Sequence, residues 1–576
     1  MINRSLRWQV LQKNQTGGII DILLENRGLN TKKEKEEFLN PNKPDKISLK
    51  DMKIDERQVD RFIRRIKKAI KNEERIIIYG DYDADGICAT AILWESLYKL
   101  SKNVTPYIPD RFSEGYGLNE ETIPKLKKDY PDLSLIITVD NGIVAKEAVK
   151  KANSLGIDVI ISDHHQKEQK LPRAYLIIHT DLLSGSGIAW ILAREIFKKI
   201  PNLSVPEGSL AKSRDFLSRR PSRRPKSQIQ IENGLELAAI GTIADQLPLL
   251  EANRSIAKFG LELLNKTKRV GILALFEESA LKKGNIGTYE VNYMIAPRIN
   301  AMGRMEHAID SLRLLCTTNR ERARELANFL GVTNRDRQRV VDDVVLHAKE
   351  VARKREWRGV IVLAHESYHE GVIGLAASKI VEEFWRPAIV IARSENISKA
   401  SARSVSGFNI IENIRKLDNL VIGGGGHPMA AGFSIETVNI KTFSQALEKI
   451  SKPLLTSEIL TKSLKIDAKI NFNQIDYDLV EKIKEFEPTG IGNPTSTFTT
   501  SGVKILDSRT VGRDMKHLKL SLEKDGVRLS AIGFGLGHYL PEITSNKLVS
   551  LVYTISEDNW LGNDNIQLKV KDLKID

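Results

Sequence analysis

Residues 75–86, RIIIYGDYDADG, decide the fold of this chain. The stretch opens with a run of isoleucines and continues into a segment that carries three aspartates, Asp81, Asp83 and Asp85. Apolar side chains then recur at helical spacing from Ile87 to Tyr98, so we predict a buried strand, an acidic loop over residues 81–86 and a helix. Such crowding of like charge is unfavourable unless a cation compensates it. The stretch therefore predicts a strand-to-helix unit with a cation site at its loop.

Three more strand-like runs end in polar clusters, namely LSLIITVDNG, IDVIISDHH and AYLIIHT. Their alternation with helical stretches predicts βα units and a parallel sheet. Ligand sites in open α/β sheets lie at the carboxyl ends of the strands. We therefore expect Asp140, His164 and His165 beside the acidic loop, together with Asp245 from the helical stretch GTIADQLPL. Oxygen and imidazole ligands suit Mn²⁺ or Mg²⁺, and two such ions would clamp a phosphodiester.

The rest of the chain predicts further parts. Helical stretches dominate from residue 234 to about 352 and include a charged run near 319–339, which we interpret as a long connecting helix. A second α/β region begins at RGVIVLAH and ends near residue 452. Alternating strands follow from about residue 464, with a hairpin turn at Asp525-Gly526, and predict a small β-barrel. The basic stretch 212–226, KSRDFLSRRPSRRPK, predicts a loop.

Composition limits the class of protein. A chain of 576 residues exceeds a single hydrophobic core. Its net charge of +14 favours an anionic partner, although a basic surface alone is weak support. Only two cysteines occur, which excludes a disulfide framework and a Cys-x-x-Cys zinc site. The sequence has no apolar run of membrane-spanning length and its start does not resemble a secretory signal, so we expect a cytoplasmic location and no membrane contact.

The order of the motifs GDYDADG, VDNG, SDHH and GTIAD resembles that of the DHH phosphoesterase family. The resemblance implies that the metal ligands are Asp83, Asp85, Asp140, His164 and Asp245, with Asp140 between the two ions. It implies that His165 is the substrate-facing or supporting histidine of the family. Many members carry a further histidine ligand four positions before the first aspartate of their Asp-x-Asp pair, where this chain has Tyr79. We expect Asp81 to take over part of that role.

Other motifs resemble the parts of the family that bind substrate. GGHPMAAGF resembles the DHHA1 module, which implies that Gly425, Gly426 and His427 bind a phosphate. RFSEGYGL, PRINAMGR, SARS and HEGVIGLAASKI resemble the branch of the family that degrades single-stranded DNA. By that resemblance, the residues that would grip DNA phosphates, including the 5′-terminal one, are Arg111, Arg298, Asn300, Arg304, Ser401 and Arg403.

The C-terminal barrel resembles an OB-fold, a module that commonly tracks single strands with a basic groove and stacking aromatics. Phe534, Tyr539 and Trp560 could stack bases there, with core packing as the default interpretation of each.

We thus expect a multi-domain α/β enzyme that joins a parallel-sheet domain and a smaller α/β domain through a helical segment and ends in a β-barrel. The expected division is an N-terminal helical extension (1–60), a DHH domain (61–250), a helical connector (251–352), a DHHA1 domain (353–455) and an OB-fold (460–576).

The expected function is a 5′-to-3′ exonuclease specific for single-stranded DNA, acting in recombination and repair with two Mn²⁺ or Mg²⁺ ions. One alternative is a DHH phosphodiesterase for short oligoribonucleotides or cyclic dinucleotides, against which the barrel and the extra length count. Another is a catalytically inactive replication scaffold, against which the intact carboxylates and histidines count. The resemblance also implies a helicase and a single-strand-binding protein as partners, and we expect a monomer.

Overall fold

The computed structural model describes residues 6–12, 17–200, 234–543, 547–558 and 565–576. The predicted loop at 212–226 and Trp560 lie outside these residues. The chain forms two compact units. The first unit comprises residues 32–335 and 487–494, and the second comprises the described residues among 1–31, 336–486 and 495–576.

The α-helices of the described residues are α1 (Ile19–Asn26), α2 (Lys32–Leu39), α3 (Glu56–Lys71), α4 (Ala84–Tyr98), α5 (Thr122–Asp129), α6 (Lys146–Ser154), α7 (Gly185–Lys199), α8 (Leu235–Ala244), α9 (Glu251–Asn265), α10 (Val270–Glu278), α11 (Thr288–Glu290), α12 (Ala296–Met305), α13 (Ile309–Cys316), α14 (Arg320–Arg353), α15 (Ile373–Phe384), α16 (Ile410–Arg415), α17 (Ile440–Ser451) and α18 (Tyr477–Lys484). A π-helical turn, Val291–Ile295, joins α11 to α12. Short 3₁₀ turns occur at Pro44–Lys46, Asp418–Leu420, Thr437–Asn439, Phe472–Gln474 and Gly537–Tyr539.

The strands are β1 (Arg7–Val10), β2 (Arg75–Tyr79), β3 (Val104–Tyr107), β4 (Leu133–Val139), β5 (Asp158–Asp163), β6 (Leu176–His179), β7 (Ile361–His365), β8 (Ala388–Ala392), β9 (Ile397–Arg403), β10 (Ile422–His427), β11 (Ala430–Glu436), β12 (Ser463–Ile466), β13 (Ala468–Lys469), β14 (Phe498–Val511), β15 (His517–Lys524), β16 (Val527–Gly533), β17 (Leu548–Asp558) and β18 (Asn565–Ile575).

A five-stranded parallel sheet forms the centre of the first unit, with strand order β3-β2-β4-β5-β6. Ile76 and Ile78 pack into the core on one face, and Ile77 and Tyr79 pack into the core on the other. Strands covered on both faces read as continuous apolar runs, which is why the isoleucine run predicts this sheet correctly. The chain turns from β2 to β3 on one side and later to β4 on the other, so a topological switch point lies at the carboxyl ends of β2 and β4.

The acidic loop is shorter than predicted. Helix α4 begins at Ala84, so Asp85 lies in its first turn and not in a loop over 81–86. The cause is Asp83, whose carboxylate accepts the N–H groups of Asp85 and Gly86 and caps the helix.

A segment that follows α18 in sequence belongs to the first unit. The buried guanidinium of Arg254, in α9, donates to the carbonyl oxygens of Phe38 (2.7 Å), Glu487 (3.1 Å) and Pro488 (3.4 Å). The N–H of Leu249 donates to the carbonyl of Ile491 at 2.7 Å. Residues 487–494 are therefore held by backbone hydrogen bonds within this unit.

The second unit contains two further sheets of three or more strands. One has the order β10-β11-β9-β8-β7, in which β7 and β8 are parallel and the other pairs antiparallel. The other closes on itself through the β14–β17 pairing and forms the predicted barrel. Leu518, Leu520 and Leu522 are buried on one face of β15, and Asp525-Gly526 forms the hairpin turn with positive φ at both residues, as the alternation predicts.

One element of the second unit differs from the sequence interpretation. Arg7–Val10 is a strand parallel to β12, although the N-terminal extension was expected to be helical. The pairing joins residues more than 450 positions apart, so no local pattern indicates it. Ile422–His427, with its glycine run, is a strand at the edge of a sheet. Helix α14 contains the predicted charged run and continues to Arg353.

Among the described helices, none combines the length and apolarity that crossing a bilayer requires.

Candidate metal centre

Carboxylates and imidazoles from distant parts of the chain meet at the carboxyl edge of the parallel sheet. They form three groups, in each of which the potential ligand atoms lie within 4.8 Å of one another: Asp81, Asp83 and Asp140; Asp140, His164 and His165; and Asp85, His164 and Asp245. The His164 Nε2 atom is 3.0 Å from Asp140 Oδ1 and 3.6 Å from Asp245 Oδ2. The structure thus brings all seven predicted residues of this cluster together.

The acidic loop is tightly packed. Asp81 Oδ1 accepts the N–H of Tyr82 at 2.7 Å, and Asp83 Oδ1 caps α4. Gly86 packs directly against Asp81, because a Cβ atom at position 86 would lie 2.6 Å from the Cβ of Asp81. Position 86 therefore has to be glycine for the two carboxylates to keep these positions.

Asp85 is held by the N-terminus of α7. Its two carboxylate oxygens accept the N–H groups of Gly185 (2.6 Å) and Ser186 (3.0 Å). A helix N-terminus is a favourable site for a carboxylate, and the two bonds fix the Asp85 side chain in one orientation. The Ser184 hydroxyl caps the same helix and lies 3.0 Å from the Thr242 hydroxyl in α8, the helix that ends at Asp245.

Asp140 follows β4 with a left-handed backbone, φ 64°. Its N–H donates to the Ser162 carbonyl, and the side chain of Asn141 donates to the carbonyls of Tyr79 and Val139. These bonds tie the turn to β2 and β5. Gly185 approaches Asp140 closely, since a Cβ atom on Gly185 would lie 2.4 Å from the Asp140 Cβ.

Asp163 fixes the histidine pair, a role that the sequence reasoning missed. Its Oδ1 accepts the N–H groups of His164 and His165 and lies 2.8 Å from Nδ1 of His165, while its Oδ2 accepts the N–H of Ile143. The remaining ring nitrogen of His165, Nε2, lies 3.2 Å from the hydroxyl of Tyr116. An aspartate directly before two histidines at a strand end is the signal that could have indicated this positioning role.

The cluster stores unfavourable electrostatic energy. Burial and repulsion by neighbouring carboxylates raise the pKa of Asp81, Asp83 and Asp140, and raise that of Asp245 to about 8. Burial lowers the pKa of His164. Although burial opposes it, the hydrogen bond to Asp163 raises the pKa of His165 to about 9.

The donor atoms fit a divalent cation. Asp140 Oδ1 and His164 Nε2 are both buried and lack a hydrogen-bond partner, although they lie only 3.0 Å apart. A cation between carboxylate and imidazole donors would satisfy both atoms and offset the repulsion among the aspartates. Oxygen-rich ligation with imidazole and no thiolate suits Mn²⁺ or Mg²⁺.

We expect the ion-free protein to lose stability as the pH rises. The folded pKa of Asp245 is raised from 3.8 to about 8, so the folded state binds more protons than the unfolded state in this interval. Its stability contribution is therefore fully present below the unfolded pKa and is lost as the pH rises through the folded value. Bound Mn²⁺ competes with these protons, so its stabilising effect should grow over the same interval.

The measurement is the thermal unfolding midpoint from pH 5 to 9 with EDTA and with Mn²⁺. The Asp245→Asn variant should show a flatter pH slope in EDTA. A midpoint in EDTA that is independent of pH, or that rises with pH, would contradict this account of the cluster.

The predicted DNA-binding residues of the first unit differ in their contacts and burial. The Arg111 guanidinium lies 5.2 Å from the centroid of the Tyr82 ring. Arg298 forms an ion pair with Glu278 and donates to the Met294 carbonyl, and Arg304 is half-buried near the end of α12. Asn300 supports the acidic loop, because its Oδ1 accepts the N–H of Ala84 at 2.7 Å.

Helix α12 packs closely on the same loop. A Cβ atom on Gly303 would lie 2.7 Å from the carbonyl oxygen of Tyr82. The PRINAMGR segment, whose contact with DNA stays a prediction, thus positions the acidic loop.

In the second unit, Ser401 and Arg403 lie on one face of β9, and the Arg403 guanidinium donates to the Ser401 hydroxyl at 3.1 Å. Both abut the first turn of α15, where a Cβ atom on Gly374 would be 3.0 Å from each of them. Burial lowers the pKa of Arg403. An anion bound here would offset that desolvation.

Gly425, Gly426 and His427 lie in the edge strand β10. A Cβ atom on Gly426 would meet the Ala430 carbonyl at 2.3 Å, whereas one on Gly425 would meet no atom within 4 Å. In the barrel, Phe534 is exposed and the Tyr539 hydroxyl lies 3.4 Å from Asp572.

A parallel α/β sheet with this order of aspartates and histidines at its switch point defines the DHH class of phosphoesterases. Family models match residues 75–210 (DHH family, N-terminal domain), 358–452 (DHHA1 domain) and 466–572 (RecJ OB domain). The single-stranded-DNA-specific exonuclease RecJ of Bacillus subtilis is 32% identical over 598 residues, which cover 100% of this chain and 72% of that protein. The chain belongs to the RecJ family.

Two further relatives agree with this assignment. The single-stranded-DNA-specific exonuclease RecJ of Haemophilus influenzae is 30% identical over 89% of this chain and 90% of that protein. The crystal structure of RecJ in complex with Mn²⁺ from Thermus thermophilus superposes with a TM-score of 0.80 at 25% identity, and the match covers 100% of this chain and 80% of that one.

Proposed function

We propose that this chain is a metal-dependent exonuclease that hydrolyses single-stranded DNA from the 5′ end. The observation that carries the proposal is the shared use of Asp140 and His164, each of which belongs to two of the three ligand groups. Groups that are linked through a shared carboxylate such as Asp140 suit two adjacent ions, the arrangement used for in-line displacement at phosphorus. The ligands would be Asp81, Asp83, Asp85, Asp140, His164 and Asp245.

The protein's own groups prepare this site. When bound, Mn²⁺ or Mg²⁺ would supply Lewis acidity and an activated water. The α7 N-terminus fixes Asp85, and Asp163 fixes the histidine pair. Asp163 binds the Nδ1 atom of His165, so the Nε2 atom of His165 is the one left to face the substrate. We assign this Nε2 atom, which lies next to the Tyr116 hydroxyl, as the donor to a phosphate oxygen.

Several features support single-stranded DNA as the substrate. The relatives named above are single-stranded-DNA-specific exonucleases, and the RecJ OB domain model matches the C-terminal barrel. The net charge of +14 suits a phosphate backbone. We propose that phosphates are gripped by Arg111, Arg298, Asn300, Arg304, Ser401, Arg403, Gly425, Gly426 and His427, and that capture of the 5′-terminal phosphate sets the direction.

We also propose a domain division, a location, an oligomeric state and partners for this chain. The matched ranges support the five-part division at 1–60, 61–250, 251–352, 353–455 and 460–576. We propose a cytoplasmic monomer that acts with a helicase and a single-strand-binding protein in recombination and repair. Light scattering of the purified chain tests the monomer, and co-purification from nuclease-treated extracts tests the partners.

The experiment for the activity is digestion of single-stranded DNA labelled at its 5′ or 3′ end, with Mn²⁺, Mg²⁺ or EDTA. The expected result is that the 5′-labelled strand releases its label as a mononucleotide only when metal is present, and that duplex DNA stays intact. Digestion from the 3′ end would overturn the direction. Cleavage of short oligoribonucleotides or cyclic dinucleotides alone would indicate the other DHH activity, and no metal-dependent cleavage would indicate an inactive scaffold.

A further inference from the structure

Two tyrosines are unusually exposed at a site that the proposed catalytic machinery does not use. The side chains of Tyr289 and Tyr293 are 63% and 66% exposed, and their ring centroids lie 4.8 Å apart with 35° between the ring planes. Large apolar rings at this exposure contribute little to a core. We call these two residues the tyrosine pair.

The backbone beneath the tyrosine pair is irregular and well anchored. The N–H of Gly287 is capped by the Glu290 carboxylate at 2.8 Å, and the π-helical turn Val291–Ile295 follows. Val291 and Ile295 are fully buried, so one side of the turn is fixed in the core while the tyrosine pair faces solvent. π-Helical turns are rare and are frequent at functional sites.

The pair is close to the metal centre along the same helical segment. The π turn leads directly into α12, whose Asn300 binds the N–H of Ala84 in the acidic loop. Tyr293 precedes Asn300 by seven residues, a separation of about 10 Å along this segment. This separation corresponds to roughly three stacked nucleotides at about 3.4 Å each.

The surroundings suit a nucleic acid better than a protein surface. Of the residues that adjoin the two tyrosines in sequence, Thr288, Glu290 and Asn292 are polar and Met294 is apolar, and two exposed lysines, Lys282 and Lys283, precede the pair. Protein docking sites usually need a broad contiguous apolar patch, which two isolated rings do not provide. Aromatic rings bind nucleobases through their faces and do so with any sequence.

We propose that the tyrosine pair is a base-stacking subsite for the substrate strand, a few nucleotides from the bond that is cleaved. The proposal rests on the function proposed above and names a contact that the phosphate-gripping residues do not supply. The pair holds bases, whereas the arginines hold phosphates, so the two contributions can be separated experimentally.

The test compares Tyr289→Ala/Tyr293→Ala with Tyr289→Phe/Tyr293→Phe, which keeps both rings. Both double variants are made in the Asp140→Asn chain so that the probe survives, and binding of a 5′-phosphorylated oligodeoxythymidine of about 12 nucleotides is followed by anisotropy with Mn²⁺. We expect the alanine variant to bind about 10-fold more weakly and the phenylalanine variant to stay within about 2-fold. Thermal unfolding checks that both variants remain folded.

A second probe series carries a single abasic site moved along the strand from the 5′ end. An abasic site at one or two positions of the strand should weaken binding to the chain with intact tyrosines. At the same positions it should not weaken binding to the alanine variant any further. Equal binding by the alanine and phenylalanine variants, or a loss that persists at every abasic position, would overturn the stacking subsite.

The outcome is distinguishable from failure of the proposed function. If the otherwise unaltered chain does not degrade single-stranded DNA, the proposed function fails. If it does so while the alanine variant binds normally, only the subsite fails.

Discussion

The Asp140→Asn variant is expected to lose exonuclease activity by at least about 1,000-fold while keeping its fold. Asp140 belongs to two of the three ligand groups, so the substitution removes a negative oxygen from both of these groups. Asparagine adopts the left-handed backbone readily, and the native φ at this position is 64°. The substitution therefore changes the charge of the ligand without straining the turn. Initial rates of 5′-label release at several Mn²⁺ concentrations measure the effect.

Asp525→Asn is the matched control. Asp525 also has a left-handed backbone, φ 51°, but it lies in the β15–β16 hairpin turn, outside the metal cluster. This variant should keep the activity of the parent chain. Activity of Asp140→Asn within about 10-fold of the parent, at any Mn²⁺ concentration, would contradict the assignment of Asp140 as a shared ligand.

A second large effect is expected from Gly185→Ala, which adds one methyl group and changes no ligand. The new Cβ atom would lie 2.4 Å from the Cβ and 2.6 Å from Oδ1 of Asp140. Contacts this short force a shift, and here either Asp140 moves or the α7 N-terminus moves with the Asp85 carboxylate that it holds. A displacement of about 1 Å at reacting groups can cost about 100-fold in rate, and we expect a loss of that order.

Gly187→Ala separates this effect from a general effect of alanine in α7. A Cβ atom on Gly187 would meet its nearest neighbour, the Leu183 Cβ, at an ordinary 3.4 Å. Alanine favours a helix over glycine by about 1 kcal/mol, so this variant should be fully active and at least as stable as the parent. Equal activity of the two variants would show that Gly185 does not constrain Asp140.

Much of the first unit could be predicted because its strands are buried on both faces. The isoleucine run of β2 and the apolar runs of β4 and β5 have no polar alternation, which is the pattern of a covered parallel sheet. Strand β1 could not be predicted in this way. Its four residues are mostly exposed and gain their structure from pairing with β12, so their own sequence contains no periodic signal.

The metal cluster was predictable for a related reason. Parallel strands place their following residues at one edge, so aspartates and histidines that are far apart in sequence had to meet there. The supporting contacts were not predictable, because they use backbone groups and shape. The two N–H groups of α7 that bind Asp85, and the Asn300 oxygen that binds Ala84, have no distinctive residue pattern. Asn300 was therefore expected to bind DNA, and its contact with the acidic loop became apparent only in three dimensions.

The buried guanidinium of Arg254 has a consequence for biosynthesis. Two of its backbone acceptors, Glu487 and Pro488, are translated more than 230 residues after it. A nascent chain that has not reached this segment lacks two of the carbonyl acceptors of this cation and the burial that strengthens these bonds. The unit that carries the metal ligands is thus completed late in translation, after most of the second unit has been synthesised. A chain released before residue 487 would lack these bonds, and we expect its first unit to unfold more easily than that of the full chain.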